Sequence, residues 1–322
     1  YLDIKDQENY LEEFKDIFDF IPLNNNARKM IGTILAFING CERVIMIDDD
    51  NYATEKNFFK YHLITGKTQK LKLVESSDGW FNIAECMIEK NNIPFYPRGY
   101  PWNKRFVNNI NKKIFEKEVE IAVNAGLVLG DPDVDAVSRL FWPLEVNNIR
   151  KNFLPNFALY PQTWSPFNDQ NTSLCRNLIP IYYKPPSVLR NADIWSAYFI
   201  EKLCGFSNQV ISYGEPLVFQ KRNEHDFRKD YSLEEVHNRA TDLFVQMLRD
   251  IEINFTTYTE SADELIGKFL QVVNHDINHP YVLKNEESRH AHMTSNIEKE
   301  KQHFQDLEMI QNLYLYLKYY LN

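Results

Sequence analysis

Val44-Ile45-Met46-Ile47-Asp48-Asp49-Asp50-Asn51-Tyr52-Ala53 is the stretch on which the reading of this chain turns. A short apolar run bounded by charge predicts a strand buried in a parallel sheet, and such strands present polar side chains at their carboxyl ends. The aspartates would then stand at a sheet edge, where open α/β folds bind ligands. Carboxylates this close repel one another and raise each other's pKa unless a cation sits among them. Mg²⁺ or Mn²⁺, hard ions whose shell substrate phosphates often complete, would meet that need. A solvated acidic turn after a strand accounts for the same residues without any chemistry.

On either side of this stretch the chain alternates helices and strands. Upstream, apolar residues at helical spacing predict helices over residues 7–19 and 27–39, the second closed by Gly40. Downstream, residues 67–74 and 118–129 read as strands, 80–90 as a helix, and 94–101 as an ordered loop rich in Pro, Gly and Tyr. Residues 144–186 carry prolines and polar clusters between short apolar runs, which suggests irregular active-site architecture or short strands. A helix over 193–203 buries Ile194, Trp195, Tyr198, Phe199 and Leu203, and a pair of strands follows at 210–213 and 216–220. Beyond residue 230 three helices are expected, at 233–253, 262–273 and 296–321, the last with an apolar seam from Phe304 to Leu321 suited to packing on the sheet or on a second copy. Two regions follow: an α/β sheet domain over 1–230 and a helical C-terminal extension over 231–322.

Composition narrows the partners. A net charge of −9 speaks against a nucleic-acid binder, so an anionic substrate would need arginines or a local cation. No apolar stretch approaches the ~20 residues of a spanning helix. Nothing resembles a secretory leader, and Cys41, Cys86, Cys175 and Cys204 form no Cys-x-x-Cys pair, which together suggest reduced thiols and a cytoplasmic protein. The chain opens at Tyr1, without a methionine and without an opening strand, as though inside a longer protein.

Several separated stretches resemble one family in order. Ala27-Arg28-Lys29-Met30-Ile31-Gly32 followed by Arg43 to Asp50 is similar to the approach to the Asp-Asp-Asp motif of the reversibly glycosylated polypeptides, the UDP-arabinopyranose mutases. Arg98-Gly99-Tyr100-Pro101, with Arg105 seven positions after Arg98, resembles that family's next signature. Ala122 to Leu127 and Pro132-Asp133-Val134-Asp135-Ala136 echo its following strand and loop, and Arg190-Asn191-Ala192-Asp193-Ile194-Trp195 its acidic helix start.

The resemblance implies a GT-A fold, a Rossmann-like nucleotide-sugar-binding sheet here lacking its first strand, and a Mn²⁺ or Mg²⁺ ion held against the donor's diphosphate. It assigns Asp50 and Asp48 to the metal, with Asp48 also placed toward the ribose or a metal-bound water, and Asp49 beside them in the donor site. Arg98 and Arg105 are assigned to the diphosphate or, in the mutase reaction, to the sugar that Arg98 would carry. Asp133, Asp135 and Arg190 are assigned to the substrate, and Asp193 to the acceptor as catalytic base. Each has a plainer reading: a salt bridge for the arginines, a turn cap for Asp133 and Asp135, a helix-start carboxylate for Asp193, core packing for Trp195.

Departures from the pattern fall at Asn124, Ala192 and Gln220, positions placed in the sugar and acceptor region rather than at the metal, with His225 a nearby imidazole that is more often simply exposed. They favour a metal-dependent glycosyltransferase with a UDP-type donor and a carbohydrate or other hydroxyl acceptor. A nucleotide-sugar mutase comes second. A non-catalytic interaction subunit, whose helical region binds a partner or a second copy, comes third.

Overall fold

The backbone is described by a computed structural model over residues 3–10, 12, 21–107 and 110–275. The expected helix at 296–321 lies outside the described residues, as does most of that at 7–19, of which α1 (Ile4–Tyr10) is the described part. In chain order there follow α2 (Lys29–Ile38), β1 (Arg43–Ile47), β2 (Asn51–Ala53), α3 (Phe58–His62), β3 (Thr68–Ser76), β4 (Met87–Glu89), β5 (Lys112–Gly130), α4 (Ala136–Phe141), β6 (Val146–Ile149), β7 (Asn156–Leu159), β8 (Asn171–Cys175), α5 (Ala192–Ser207), β9 (Val210–Gln220), α6 (Phe227–Asp250) and α7 (Tyr258–His275).

The nine strands form one mixed sheet, and it is mostly antiparallel. Only β3–β7 and β5–β9 run parallel among the described pairings. This corrects the expectation of a strand buried in a parallel sheet. β1 lies at one end of the pairing order and runs antiparallel to β8, Arg43 opposite Cys175 and Ile47 opposite Asn171. Its Val44 and Ile45 are half-buried and Ile47 is exposed, because an apolar run of five residues reads alike for an edge strand and a central one.

β5 organises the rest. Its first half pairs with β3 from Lys112–Ser76 to Glu120–Thr68, and its second half lies between β8 and β9. Since β3 pairs with β7 and β7 with β9, the ladders close a circuit back onto β5. The strand starts six residues before the expected one because its first half is charged and exposed, matched across the ladder by pairs such as Lys70–Glu116.

Two further expectations change. Residues 80–90 are not a helix: Trp80 bridges to Trp164, Ile83–Cys86 make a 3-10 turn, and β4 follows. Trp80, Phe81, Ile83, Ala84 and Cys86 are all buried, a distribution that no single helical stripe produces. The strand pair at 210–220 is one strand, β9, whose ladder with β5 shifts register around Gly214 and Gly126. Gly214 has no room for a Cβ, which would lie 1.9 Å from Asn156 Oδ1.

α5, α6 and α7 form near the positions where helices are expected, although α6 starts at Phe227, ahead of the boundary drawn at 230. Trp195 stacks on Phe244 with centroids 4.1 Å apart, the core role read for it. Phe244, Leu248 and Phe269 share one apolar cluster with Val74, Val123 and Tyr213 of the sheet. Among the described residues no helix is long and apolar enough to cross a membrane.

Candidate functional site

Gly99 brings the arginine loop onto the start of α5. Its φ of +76° is the left-handed region that glycine tolerates, and a Cβ there would lie 2.3 Å from Ile194 Cγ2. Tyr198 Oη donates to the Gly99 carbonyl at 2.7 Å and fixes the contact. Arg98 is thereby delivered, buried, to Asp193 in the first turn of α5.

Each of the three Arg98 guanidinium nitrogens has a partner. Nε donates to Asp133 Oδ1 at 3.0 Å, and Nη2 to Asp133 Oδ2 at 2.9 Å and to Asp193 Oδ2 at 3.0 Å. Nη1 reaches Asp193 Oδ1 and Asn191 Oδ1, each at 3.2 Å, and the Arg190 carbonyl. Burial alone would favour the neutral forms of these groups. Against it, the charge and hydrogen bonds of Arg98, with Arg222 and Asn168, hold the Asp133 carboxyl well below the usual carboxylate range, and the two aspartates push Arg98 well above its ordinary value.

Arg105 makes a second buried pair. Nη2 donates to Asp135 Oδ2 at 2.8 Å while the guanidinium lies 3.8 Å from the centre of the Trp102 ring. Asp135 also caps α4 through Ser138 N at 2.9 Å, so the cap reading and the ion-pair reading both hold for it.

The acidic triplet divides by burial: Asp50 is buried, Asp48 half-buried and Asp49 exposed, on a turn closed by the Asn51 N–H, which donates to the Asp48 carbonyl at 3.2 Å, and not along an extended segment. The donors that reach the Asp50 carboxylate are neutral. Gln220 Nε2 lies 3.2 Å from both its oxygens and the Asn223 N–H 3.3 Å from Oδ2. Asp48 pairs with Lys29, whose ammonium also lies 3.5 Å from Asp169, and Asp169 pairs in turn with the buried Lys184. The cation expected beside the triplet is therefore met, at Asp48, by a lysine of α2.

A chain of carboxamides connects the triplet to the arginine. Gln170 Nε2 donates to Gln220 Oε1, Asn168 Nδ2 donates to Gln170 Oε1 at 3.4 Å, and the same Asn168 amide donates to Asp133 Oδ2 at 2.7 Å. Asp50, Gln220, Gln170, Asn168, Asp133, Arg98 and Asp193 thus form one continuous side-chain network. A cavity of about 60 Å³ lies against it, lined by Arg98, Asp133, Asn168 and Gln170.

Other expected positions lie elsewhere. The Arg190 side chain turns to α6, with Nε 2.9 Å from Glu234 and Nη1 3.1 Å from Asp230. His225 also pairs with Asp230, at 3.1 Å. Asn124 sits inside the sheet, its amide 3.3 Å from the buried His62, which bonds Ser173 and Asn171. Gln220 corrects the expectation that the departures avoid the metal position, for it touches Asp50 directly. The residues missed from sequence are Asn168, Asp169 and Gln170, and Lys29 and Lys184. Asn168 to Asn171 are four polar residues leading into buried β8, a run with nothing in it that marks an amide with a role.

Among the described residues no three His, Cys, Asp or Glu side chains stand together as a metal-holding set. The carboxylate oxygens of Asp50, and those of Asp48 if Lys29 yields them, offer the oxygen chemistry of Mg²⁺ or Mn²⁺ with too few ligands for a protein-only cage, since the groups that reach Asp50 are N–H donors. That donor set fits an ion that arrives with phosphate oxygens to complete its shell. No protein-family model matches the chain, and no curated protein matches it either.

Proposed function

We propose that the chain is a metal-dependent glycosyltransferase that takes a nucleotide-diphosphate sugar, of UDP type, as donor and a hydroxyl group as acceptor. The observation that carries this reading is the carboxamide chain of Gln220, Gln170 and Asn168, which links Asp50 to Asp133, Arg98 and Asp193. Residues from opposite ends of the region meet in one polar site, and a packed fold has no need to bury so many charges together.

Asp50 and Asp48 would hold the Mn²⁺ or Mg²⁺ ion, which when bound offsets the charge gathering on the departing diphosphate. Lys29 and Lys184 lie on the same side, balanced by Asp48 and their shared partner Asp169. Asp133 stays ionised and weakly basic beside Arg98, which suits it to accept hydrogen bonds from sugar hydroxyls rather than to remove a proton. Asp193 is positioned by the same guanidinium.

Transfer to an acceptor is favoured over the mutase reaction by the state of Arg98. A guanidinium with every nitrogen engaged and its pKa raised is a poor nucleophile for an anomeric carbon.

Incubation with a panel of nucleotide sugars, with and without Mn²⁺, while free nucleotide and intact protein mass are followed, tests the reading. Metal-dependent nucleotide release for one donor, lost in Asp50→Ala, is the expected result. A mass gain of one sugar that disappears in Arg98→Lys would replace transfer by the mutase reaction. Silence across the panel from folded protein would leave the interaction subunit.

A further inference from the structure

Beside the polar network lies a groove of about 430 Å³, within the ~300–1,000 Å³ typical of small-molecule sites. Its walls come from the 3-10 turn Ile83–Cys86, from β4, from the loop that follows it, and from the residues just after β6. These pieces are tied together. Asn82 accepts from Ala84 N at 3.1 Å and donates to the Phe95 carbonyl at 2.8 Å, joining turn and loop. Glu89 accepts from Asn91 N at 2.6 Å and from Ile93 N at 2.9 Å, and so sets the loop's course. Across the groove, Arg150 N donates to Cys86 O at 2.8 Å and Arg150 Nε to Glu85 O at 2.9 Å. Phe153 packs at 4.9 Å from Phe157, a fully buried ring of the core. The groove is built before any ligand arrives.

Its lining is a mixture of a particular kind. Phe95 and Phe153 present aromatic carbon, and Glu85, Glu89 and Arg150 bring acceptors and donors. Glu85 is paired with Lys112, which leaves one carboxylate, Glu89, against one guanidinium, so the charged lining balances and offers no excess positive charge to phosphate or other anions. An uncharged ring with a C–H face for the aromatics and hydroxyls for the polar groups fits both features. The inner wall gives the groove a direction: Ala84, Met87 and Phe95 also line the small cavity that reaches Arg98 and Asp133. A ligand here is one layer of side chains away from the network.

We propose that this groove binds an uncharged polyhydroxyl ring, and that it holds the part of the acceptor remote from the reacting hydroxyl. The second half rests on the function proposed above; the first does not.

Met87 gives the readout, one of six methionines in the chain. In full-length protein with ¹³C-labelled methionine methyls, its signal is assigned by Met87→Leu. Neutral pentoses and hexoses are titrated into the tens of millimolar, with inorganic phosphate as the charged probe, and nucleotide release from the donor panel is measured on the same protein. At least one neutral sugar should move the Met87 signal saturably, with a dissociation constant on the order of millimolar. Glu85→Gln and Arg150→Gln, both at exposed positions, should each weaken that response by about fivefold. Phosphate should leave the signal still.

A Met87 signal that no neutral sugar moves, or that phosphate moves instead, overturns the site, and nucleotide release in the same experiment would leave the transferase reading standing. A saturable sugar response without release from any donor upholds the ring-binding groove and overturns its role as acceptor site together with the transferase reading.

Discussion

Arg98 Nη2 lies 3.0 Å from Asp193 Oδ2 while the same nitrogen lies 2.9 Å from Asp133, so one buried guanidinium is shared by two carboxylates drawn from different parts of the chain. Removing it takes the directly bonded cation from both. Arg98→Ala should destabilise the fold by about 3–5 kcal/mol in chemical denaturation, the range for breaking a buried pair by deleting one partner. Arg98→Lys should recover only part of this, since an ammonium cannot serve both carboxylates in the fork geometry.

Asp133 makes the same pair sensitive to acid. Its folded pKa is held below the ordinary value of 3.8, so the stability it contributes is present above that pH and is lost as pH falls through the folded value. Asp133→Asn should be less stable than the parent at pH 7, and the difference should shrink below pH ~4. Urea midpoints across that range measure it.

Glu201 is a buried acid of the opposite kind. One of its oxygens accepts from Ser165 N at 3.2 Å, the other has no hydrogen-bond partner among the described residues, and burial pushes its pKa well above the ordinary 4.5. The unfolded chain ionises this group first, so stability is lost as pH rises above 4.5, by about 1.4 kcal/mol per unit until the folded group ionises too. Glu201→Gln should therefore raise the melting temperature at pH 7 and above and change it little near pH 4.

His62 behaves as a base that folding keeps neutral. Burial lowers its pKa to about 4, and the hydrogen bond with Asn171 only partly opposes this. Because the folded value lies below the unfolded one, protonation favours unfolding, and up to about 3 kcal/mol is lost between pH 6.5 and 4. An NMR titration of the imidazole should show no midpoint near 6.5, and His62→Gln should flatten the stability profile over that interval.

Gly99 tests the loop that delivers Arg98. Gly99→Ala places a Cβ where Ile194 Cγ2 stands and imposes a positive φ on an L side chain, and should destabilise the fold by roughly 2–3 kcal/mol. Combining it with Ile194→Ala, which removes Cγ2, should relieve only the steric part.

The elements that the chain announced by local chemistry were legible. Asp48 and Asp50 showed themselves through a strand followed by charge, Arg98 through a Gly-Pro loop, Asp193 through a helix start. Strand direction was not legible, because β1 carries the same apolar run in either orientation. The 80–90 segment was misread because its aromatics enter the core on several sides, a tertiary outcome with no periodic trace. Asn168 and Gln170 were invisible for a different reason. A single amide in a polar loop has no distinguishing pattern, and it acquires a role only when β8 brings it between Asp133 and Gln220.

The partner of Asp50, Gln220, is the last residue of β9, and β9 lies parallel to β5 across a long intervening stretch of chain, with Ile121 paired to Val210. On the ribosome the acidic triplet and the arginine loop emerge well before that strand. Closing so large a loop is entropically slow, so the charges stay solvated until the sheet is nearly complete. A chain halted before Val210 would carry every charge of the triplet without the Gln220 and Asn223 donors that hold the Asp50 carboxylate.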